Sequence, residues 1–251
     1  MGEPLKKGDL LATGGVVWEV IATNDESSLL ITKDIIARLP YYQNRDESCR
    51  GYVDSTIRRW LNGDFLSSLP CEFTKRLVKT KLMSTEKIDG FDYAKYGVDE
   101  DDSFEDKVFL LTDTEARVLF RNDASRRAHF NLDYLRCAEP KAYVALSEEE
   151  RSSVWRCGDW YLRTLDPDKH FMVTGYGEIQ ECQPISIPSF ALNNIDDQMY
   201  DSMRSSTGEA LMHLFASLRG IPLLKAPLVA SMIKSEYGLG IRPATWIANE
   251  S

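Results

Sequence analysis

Cysteine and histidine are the side chains of this sequence best suited to metal binding or nucleophilic catalysis, but neither type is clustered. The three histidines stand alone, without the H-x-x-x-H or H-E-x-x-H spacing that places two imidazoles on one helix face. The five cysteines are odd in number and never form a C-x-x-C pair, so they indicate neither a disulfide framework nor a zinc site. We therefore expect no metal, no cofactor and reduced thiols at Cys49, Cys71, Cys137, Cys157 and Cys182.

Motifs for phosphate binding and acyl transfer are also missing from the sequence. It has no glycine-rich phosphate loop and no G-x-S-x-G nucleophile elbow, and its glycine pair, Gly14-Gly15, only leads into a strand pattern. The residue pattern alone therefore predicts no catalytic residue.

Composition and charge restrict the class of protein and of partner. With 43% hydrophobic and 10% aromatic residues, the chain can bury one substantial core, and we expect a single domain over 1–251. A net charge of −9 disfavours nucleic acid as a partner, because phosphate binding relies on Lys and Arg replacing counterions. No apolar run reaches the roughly 18 residues of a membrane helix and no signal-like start occurs, which predicts a soluble, cytoplasmic protein without a membrane partner.

Hydrophobic periodicity predicts the elements of the first third of the chain. Residues 16–21 and 29–32 are β-rich runs joined by a polar turn, which indicates an opening hairpin. Asp54 or Ser55 can cap a helix over 55–66, whose apolar residues recur at helical spacing. A second helix near 72–77 then leads into an extended, alternating segment over 78–83.

The middle of the chain opens with a charged segment. Residues 86–106 are polar and acidic, which predicts a solvated loop; a calcium loop is the alternative, but its ligands do not fall in the EF-hand register. Residues 108–111 indicate a short buried strand. Thr112 with Glu115 then forms a capping box for a helix over 113–120.

Two further local signals follow. Ser147 with Glu150 indicates another capping box and a short helix before the Trp160 strand. Residues 171–173 and 179–182 flank two glycines, which predicts a tight hairpin.

Five short pieces of the sequence, in this order, resemble one domain family. They are residues 17–20, 55–62, 106–111, 160–163 (Trp-Tyr-Leu-Arg) and 240–244 (Gly-Ile-Arg-Pro-Ala). Together they resemble a bacterial domain family of unknown function with a C-type-lectin-like fold. That fold also occurs in retroelement-diversified variable proteins and in formylglycine-generating enzymes. The resemblance implies an α+β fold of antiparallel sheets with two or more flanking helices. Leu165 departs from the family pattern, which usually has proline there.

The resemblance also implies a function and a site. In that fold the irregular segment between the Trp160 strand and the Arg242 strand forms an exposed binding face. The ligand-binding residues that this implies are Tyr176, Glu178, Gln180, Glu181 and Gln183. The function implied is a non-catalytic module that binds a protein or a small ligand of unknown specificity.

Five other residues are expected to be structural: Trp60, Trp160, Arg163, Arg242 and Trp246. A guanidinium near the core needs a fixed acceptor, because a buried unpaired charge is costly. We expect Arg163 and Arg242 to orient loops through carbonyl groups or carboxylates.

The alternative is an oxidase of the formylglycine-generating type, or another enzyme on the same fold. Such an oxidase holds copper through a pair of cysteines, and soft thiolates suit that metal. Cys157 and Cys182 flank the relevant region, but their separation of 25 residues (182 − 157) does not match the closely spaced pair of that enzyme. The sequence therefore favours binding over catalysis.

Residues 184–237 occupy a place where the family usually has a short loop. A capping box at Ser206 and Glu209 and a stripe of Leu211, Leu214, Phe215 and Leu218 predict a helical insertion. Such a stripe most often packs on its own domain. Its alternative role is a partner surface, including self-association through 206–233.

Overall fold

The computed structural model describes residues 4–42, 51–83, 103–146, 151, 157–163, 170–182 and 239–249. Within these ranges the chain has two larger sheets, a two-stranded sheet and short helices, so the predicted α+β class is confirmed. The insertion 184–237 and the second capping box lie outside them and stay predictions. None of the helices in the described ranges is long and apolar enough to cross a membrane.

The first sheet joins the two ends of the described chain. Its strands are β1 (Leu10–Thr13), β2 (Val16–Thr23), β3 (Ser27–Thr32) and β11 (Ala244–Ala248), in the order β1-β2-β3-β11 and antiparallel throughout. The predicted opening hairpin is confirmed. β1 is an addition, because Gly14 and Gly15, at φ 62° and 75°, form a two-residue turn instead of only entering a strand.

The second sheet includes the hairpin that bears four of the five predicted ligand residues. Its order is β4 (Ala37–Leu39), β10 (Leu239–Ile241), β7 (Trp160–Tyr161), β8 (His170–Val173) and β9 (Ile179–Cys182). β10 runs parallel to β7, and the other pairs are antiparallel. The hairpin predicted at 171–173 and 179–182 is confirmed. Two residues, Arg242 and Pro243, take the chain from β10 in this sheet to β11 in the first.

The small sheet corrects the prediction for the acidic segment. β5 (Thr80–Met83) pairs with β6 (Ser103–Asp106), so the end of that segment is a strand and not a solvated loop. Cations from elsewhere in the chain make this favourable. Asp106 is buried with its carboxylate 2.9 Å from Arg58 Nε, and Glu105 lies 3.0 Å from Lys79 Nζ.

The predicted helix over 55–66 is confirmed. It begins as α1 (Thr56–Trp60), continues through a π-helical turn at Leu61–Phe65 and ends as α2 (Leu66–Ser68). Ser55 caps it, since its Oγ accepts a hydrogen bond from the N–H of Arg58 at 3.0 Å. α3 (Cys71–Arg76) matches the second predicted helix.

Asn62 on the first helix holds the segment that follows β6. Its Oδ1 accepts from the N–H of Lys107 at 3.1 Å, and its Nδ2 donates to the carbonyl of Val108 at 2.8 Å. Residues 108–111 are buried as predicted, but in the described part of the chain they form a single bridge, Phe109 with Ala244 of β11, and no strand.

Between β6 and β7, the described ranges include the helices α4 to α7. α4 (Asp113–Leu119) begins with the predicted capping box, in which Thr112 Oγ1 and the Glu115 carboxylate each accept the other residue's backbone N–H. α5 (Asp123–Arg126), α6 (Leu132–Ala138) and α7 (Pro140–Ala145) are not among the predicted helices. α5 and α6 have asparagine caps, a signal that the periodicity argument overlooked.

Candidate functional site

The tip of the β8–β9 hairpin, residues 174–178, is a tight turn. The N–H of Gly177 donates to the carbonyl of Thr174 at 2.7 Å, and the N–H of Thr174 donates to the carbonyl of Glu178 at 2.8 Å. Gly177 has a φ of 89°, and a Cβ at this position would lie 1.8 Å from the carbonyl oxygen of Asp123. The hairpin tip therefore packs backbone to backbone on α5, and only glycine fits there.

Three side chains from outside the hairpin fix its tip. Arg126 Nε donates to the carbonyl of Gly177 at 2.8 Å, and Arg127 Nε donates to the carbonyl of Tyr176 at 3.0 Å. Asp159 Oδ1 accepts a hydrogen bond from the N–H of Gly175 at 2.7 Å. The backbone of the tip is thus held on α5 and on the segment leading into β7.

Four of the five predicted ligand residues are described, and they do not share one face. Tyr176 is 76% exposed at the hairpin tip. Glu178 and Gln180 are exposed and joined by a hydrogen bond of 2.9 Å from Nε2 to Oε2. Glu181 is exposed on the opposite face of β9, because successive residues of a strand point to opposite sides. Gln183 lies outside the described residues.

Arg163 lies where an architectural side chain is expected. It is buried, its Nε donates to the carbonyl of Leu110 at 3.1 Å, and its Nη2 lies 3.3 Å from the Glu115 carboxylate. Through these contacts it joins the end of β7 to the start of α4.

Arg242 is more deeply enclosed. Its Nε donates to the carbonyl of Thr32 at 2.6 Å, and its guanidinium carbon lies 5.4 Å from the ring centre of Phe120. Burial lowers the pKa of Arg242 to about 10, because a charged guanidinium is disfavoured away from water. The carboxylates of Glu19 and Asp34 act in the opposite direction and raise this pKa. The side chain therefore ties the crossing between the sheets to the end of β3.

The three predicted structural tryptophans differ in burial. Trp160 is fully buried, and its Nε1 donates to the carbonyl of Arg126 at 3.2 Å. Trp60 is half-buried and stacks on Phe65, with ring centres 5.2 Å apart. Trp246 in β11 is also half-buried. Their structural role stays a prediction, and these positions agree with it.

A family model for a domain of unknown function, DUF6273, matches residues 26–249, which include the hairpin and both arginines. The chain belongs to the DUF6273 family. Membership of a domain family of unknown function is therefore confirmed, whereas the lectin-like fold is not part of this match. No curated protein and no solved structure matches the chain.

The two cysteines of the oxidase alternative lie at opposite ends of the hairpin in this DUF6273 chain. Cys182 is opposite His170 in the register of β8 and β9, at the open end of the hairpin. Cys157 lies beside the turn, because its carbonyl oxygen is so close to Gly175 that a Cβ there would lie 2.4 Å from it. The four strand steps from residue 170 to 174 span roughly 13 Å. One copper ion bound by both sulfurs does not fit this arrangement. Across the described ranges, no three His, Cys, Asp or Glu side chains are grouped to hold a metal ion.

One contact joins two residues that the sequence analysis treated separately. Cys157 Sγ lies 3.7 Å from His129 Nε2. The two residues are 28 positions apart, and their spacing matches no motif, so the pair becomes visible only through the fold.

Proposed function

We propose that this DUF6273 chain is a non-catalytic module that binds a protein or a small ligand through the tip of the β8–β9 hairpin. The observation that carries the proposal is the 76% exposure of the Tyr176 side chain on a fixed backbone. An exposed tyrosine offers a large amphipathic contact area and has only two side-chain torsions to order on binding.

The fixed backbone supports binding because it lowers the entropic cost. Arg126, Arg127 and Asp159 already hold the turn in the free protein. A ligand that covers Tyr176 therefore orders little more than the side chain, whereas a mobile loop also loses backbone freedom on binding.

The polar residues beside the tip suggest which groups the ligand presents. Glu178 directly precedes β9 and is hydrogen-bonded to Gln180 within it, and both side chains can accept hydrogen bonds from donors that reach past Tyr176. Glu181 on the other face belongs to the same contact only if the ligand wraps the edge of the sheet. Nucleic acid remains a disfavoured partner, because the chain carries a net charge of −9.

The C-type-lectin-like fold and the cytoplasmic location are part of the same proposal. Largely antiparallel sheets, one of them mixed through the parallel β10–β7 pair, together with flanking short helices support the fold. Superposition of an experimental structure on formylglycine-generating enzymes tests it, and fractionation of the native host tests the location. Self-association through 206–233 also stays a proposal, and the mass of the purified protein in solution tests it.

The test of binding compares Tyr176→Ala with Val118→Ala. Val118 in α4 is 77% exposed, so it is a matched apolar side chain elsewhere on the surface. Partners captured from the native host by the wild type are identified by mass spectrometry, and their dissociation constants are measured by calorimetry. We expect Tyr176→Ala to weaken binding by about tenfold or more and Val118→Ala to leave it unchanged. Equal affinities for the three proteins would refute the hairpin site.

A further inference from the structure

Cys157 and His129 are held together by backbone hydrogen bonds on either side of their contact. The N–H of Gly158 donates to the carbonyl of Ala128 at 2.9 Å, and the N–H of Ile35 donates to the carbonyl of His129 at 2.7 Å. The 3.7 Å between Sγ and Nε2 is a distance across which a thiol proton can pass to an imidazole nitrogen. Neighbouring backbone bonds therefore fix the place of each partner.

Asp34 adds a carboxylate beside the imidazole. A parallel bridge joins Ile35 to Phe130, so the preceding residues, Asp34 and His129, lie next to each other on the same side. Burial raises the pKa of Asp34, and Lys33, Arg242 and His129 act in the opposite direction. The backbone thus places the residues that carry the thiol, the imidazole and the carboxylate side by side, in the order of a nucleophile, its base and an orienting group.

The charges that act on the thiol are cationic. Burial raises the pKa of Cys157, while Arg127 and Arg242 oppose that rise. The thiol therefore stays protonated at neutral pH and needs a base to become a nucleophile. The two arginines favour a negatively charged molecule close to the sulfur.

We propose that Cys157 is a nucleophilic thiol, with His129 as its general base and Asp34 as a positioning residue, and that it reacts with small anionic ligands carrying an electrophilic carbon. Nε2 of His129 takes the thiol proton as the sulfur forms a bond to that carbon. The leaving group departs with the electron pair of its bond to the carbon, and the imidazolium then releases its proton to water. The site goes beyond the proposed binding function and does not depend on it.

Alkylation by iodoacetate and iodoacetamide tests the proposal on the intact protein. The rate at each cysteine is followed by mass spectrometry, and the exposed Cys71 and Cys137 serve as internal controls. At pH 7 we expect His129→Gln to lower the rate at Cys157 by about tenfold or more, and to leave the controls unchanged. We also expect the ratio of iodoacetate to iodoacetamide rates to be higher at Cys157 than at either control.

His129→Gln should fold normally, because His129 is exposed and its bond to Ile35 uses the backbone carbonyl. Asp34→Asn gives a second readout: without the orienting carboxylate the rate at Cys157 should fall, and Asp34→Glu, which keeps a carboxylate, should restore part of it. An unchanged Cys157 rate in His129→Gln, or a reagent ratio equal to that of the controls, would overturn the assignment. Neither result bears on the hairpin proposal, which the Tyr176 variants test separately.

Discussion

Arg242 and Trp160 share one acceptor. The guanidinium carbon of Arg242 lies 5.3 Å from the centre of the Trp160 ring, and both side chains donate to the carbonyl oxygen of Arg126, at 3.4 Å and 3.2 Å. Arg126 in turn donates from its own side chain to Gly177 in the hairpin tip. The crossing between the sheets, β7 and the proposed ligand hairpin therefore meet at one residue of α5.

Replacing Arg242 with alanine should destabilise the protein by about 3–5 kcal/mol, because the change removes a buried charged group together with its hydrogen bonds and ring contacts. Arg136→Ala is the control, since that side chain is 64% exposed in an ion pair with Asp133 and should change stability by less than about 0.5 kcal/mol. Urea unfolding followed by circular dichroism measures both. Similar midpoints for the two variants would contradict the architectural role of Arg242.

Gly177→Ala should disturb the hairpin tip. The left-handed backbone alone costs a non-glycine residue about 1–2 kcal/mol, and the clash of Cβ with the Asp123 carbonyl adds to that. Gly63→Ala is the control, because in the described part of the chain no atom beyond the adjacent residues and backbone of its own helix lies within 4 Å of a Cβ there, and alanine is favoured in helices. Thermal melting should show a clearly lower melting temperature for Gly177→Ala and no decrease for Gly63→Ala. A wild-type melting temperature for Gly177→Ala would mean that the tip is not packed on α5.

Asn62→Ala should lower the free energy of unfolding by about 1–3 kcal/mol, because it leaves the backbone groups of Lys107 and Val108 without their amide partner. Gln180→Ala is a suitable control, since its amide is exposed and its bond joins another exposed side chain. Chemical denaturation gives both free energies of unfolding. If Asn62→Ala is as stable as Gln180→Ala, the prediction is wrong, and water satisfies the backbone groups of Lys107 and Val108 without a decrease in the free energy of unfolding.

We expect five alkylatable cysteines under non-reducing conditions, as the odd number and scattered positions indicate.

One of the thiols, that of Cys182, gives a prediction about pH. Burial, reinforced by Glu181 and Asp159, raises the pKa of Cys182 from 9.0 to about 12. The folded state thus keeps this proton above pH 9 while the unfolded state loses it, so its stabilising effect is complete below pH 9 and declines from there towards pH 12.

Comparing the wild type with Cys182→Ala at pH 8 and pH 10 isolates this effect. The stability of the wild type should fall more between the two pH values than that of the variant, as measured by denaturant unfolding. A parallel fall in both proteins would show that Cys182 titrates alike in the folded and unfolded states.

Elements defined by local chemistry could be predicted from the sequence. Ser55 and Thr112 cap helices through atoms within three residues of themselves, so their positions follow from the sequence alone. Strand alternation could also have shown that Glu181 faces away from Gln180, a point the binding-face prediction overlooked.

Features that depend on distant partners could not be predicted in this way. Asp106 belongs to an acidic run, and its ion pair with Arg58, 48 positions away, makes its burial in a strand favourable. Cys157 and His129 are a similar case, because the segments that carry Ile35, Ala128 and Gly158 must be hydrogen-bonded to one another before the thiol and the imidazole meet. The exposure of Tyr176 likewise depends on the packing of its hairpin on α5.

The placement of β10 and β11 has a consequence for synthesis of the protein on the ribosome. Leu239 pairs with Leu39, and Ala244 pairs with Ile31. Neither sheet can be completed until the ribosome has added residues that lie some 200 positions further along the chain. Until then β4 and β7 lack the strand that lies between them, and β3 has an unpaired edge. Contacts this distant in sequence form slowly, and unpaired strand edges promote association with other chains. The nascent polypeptide must therefore be protected from aggregation until its final strands have emerged.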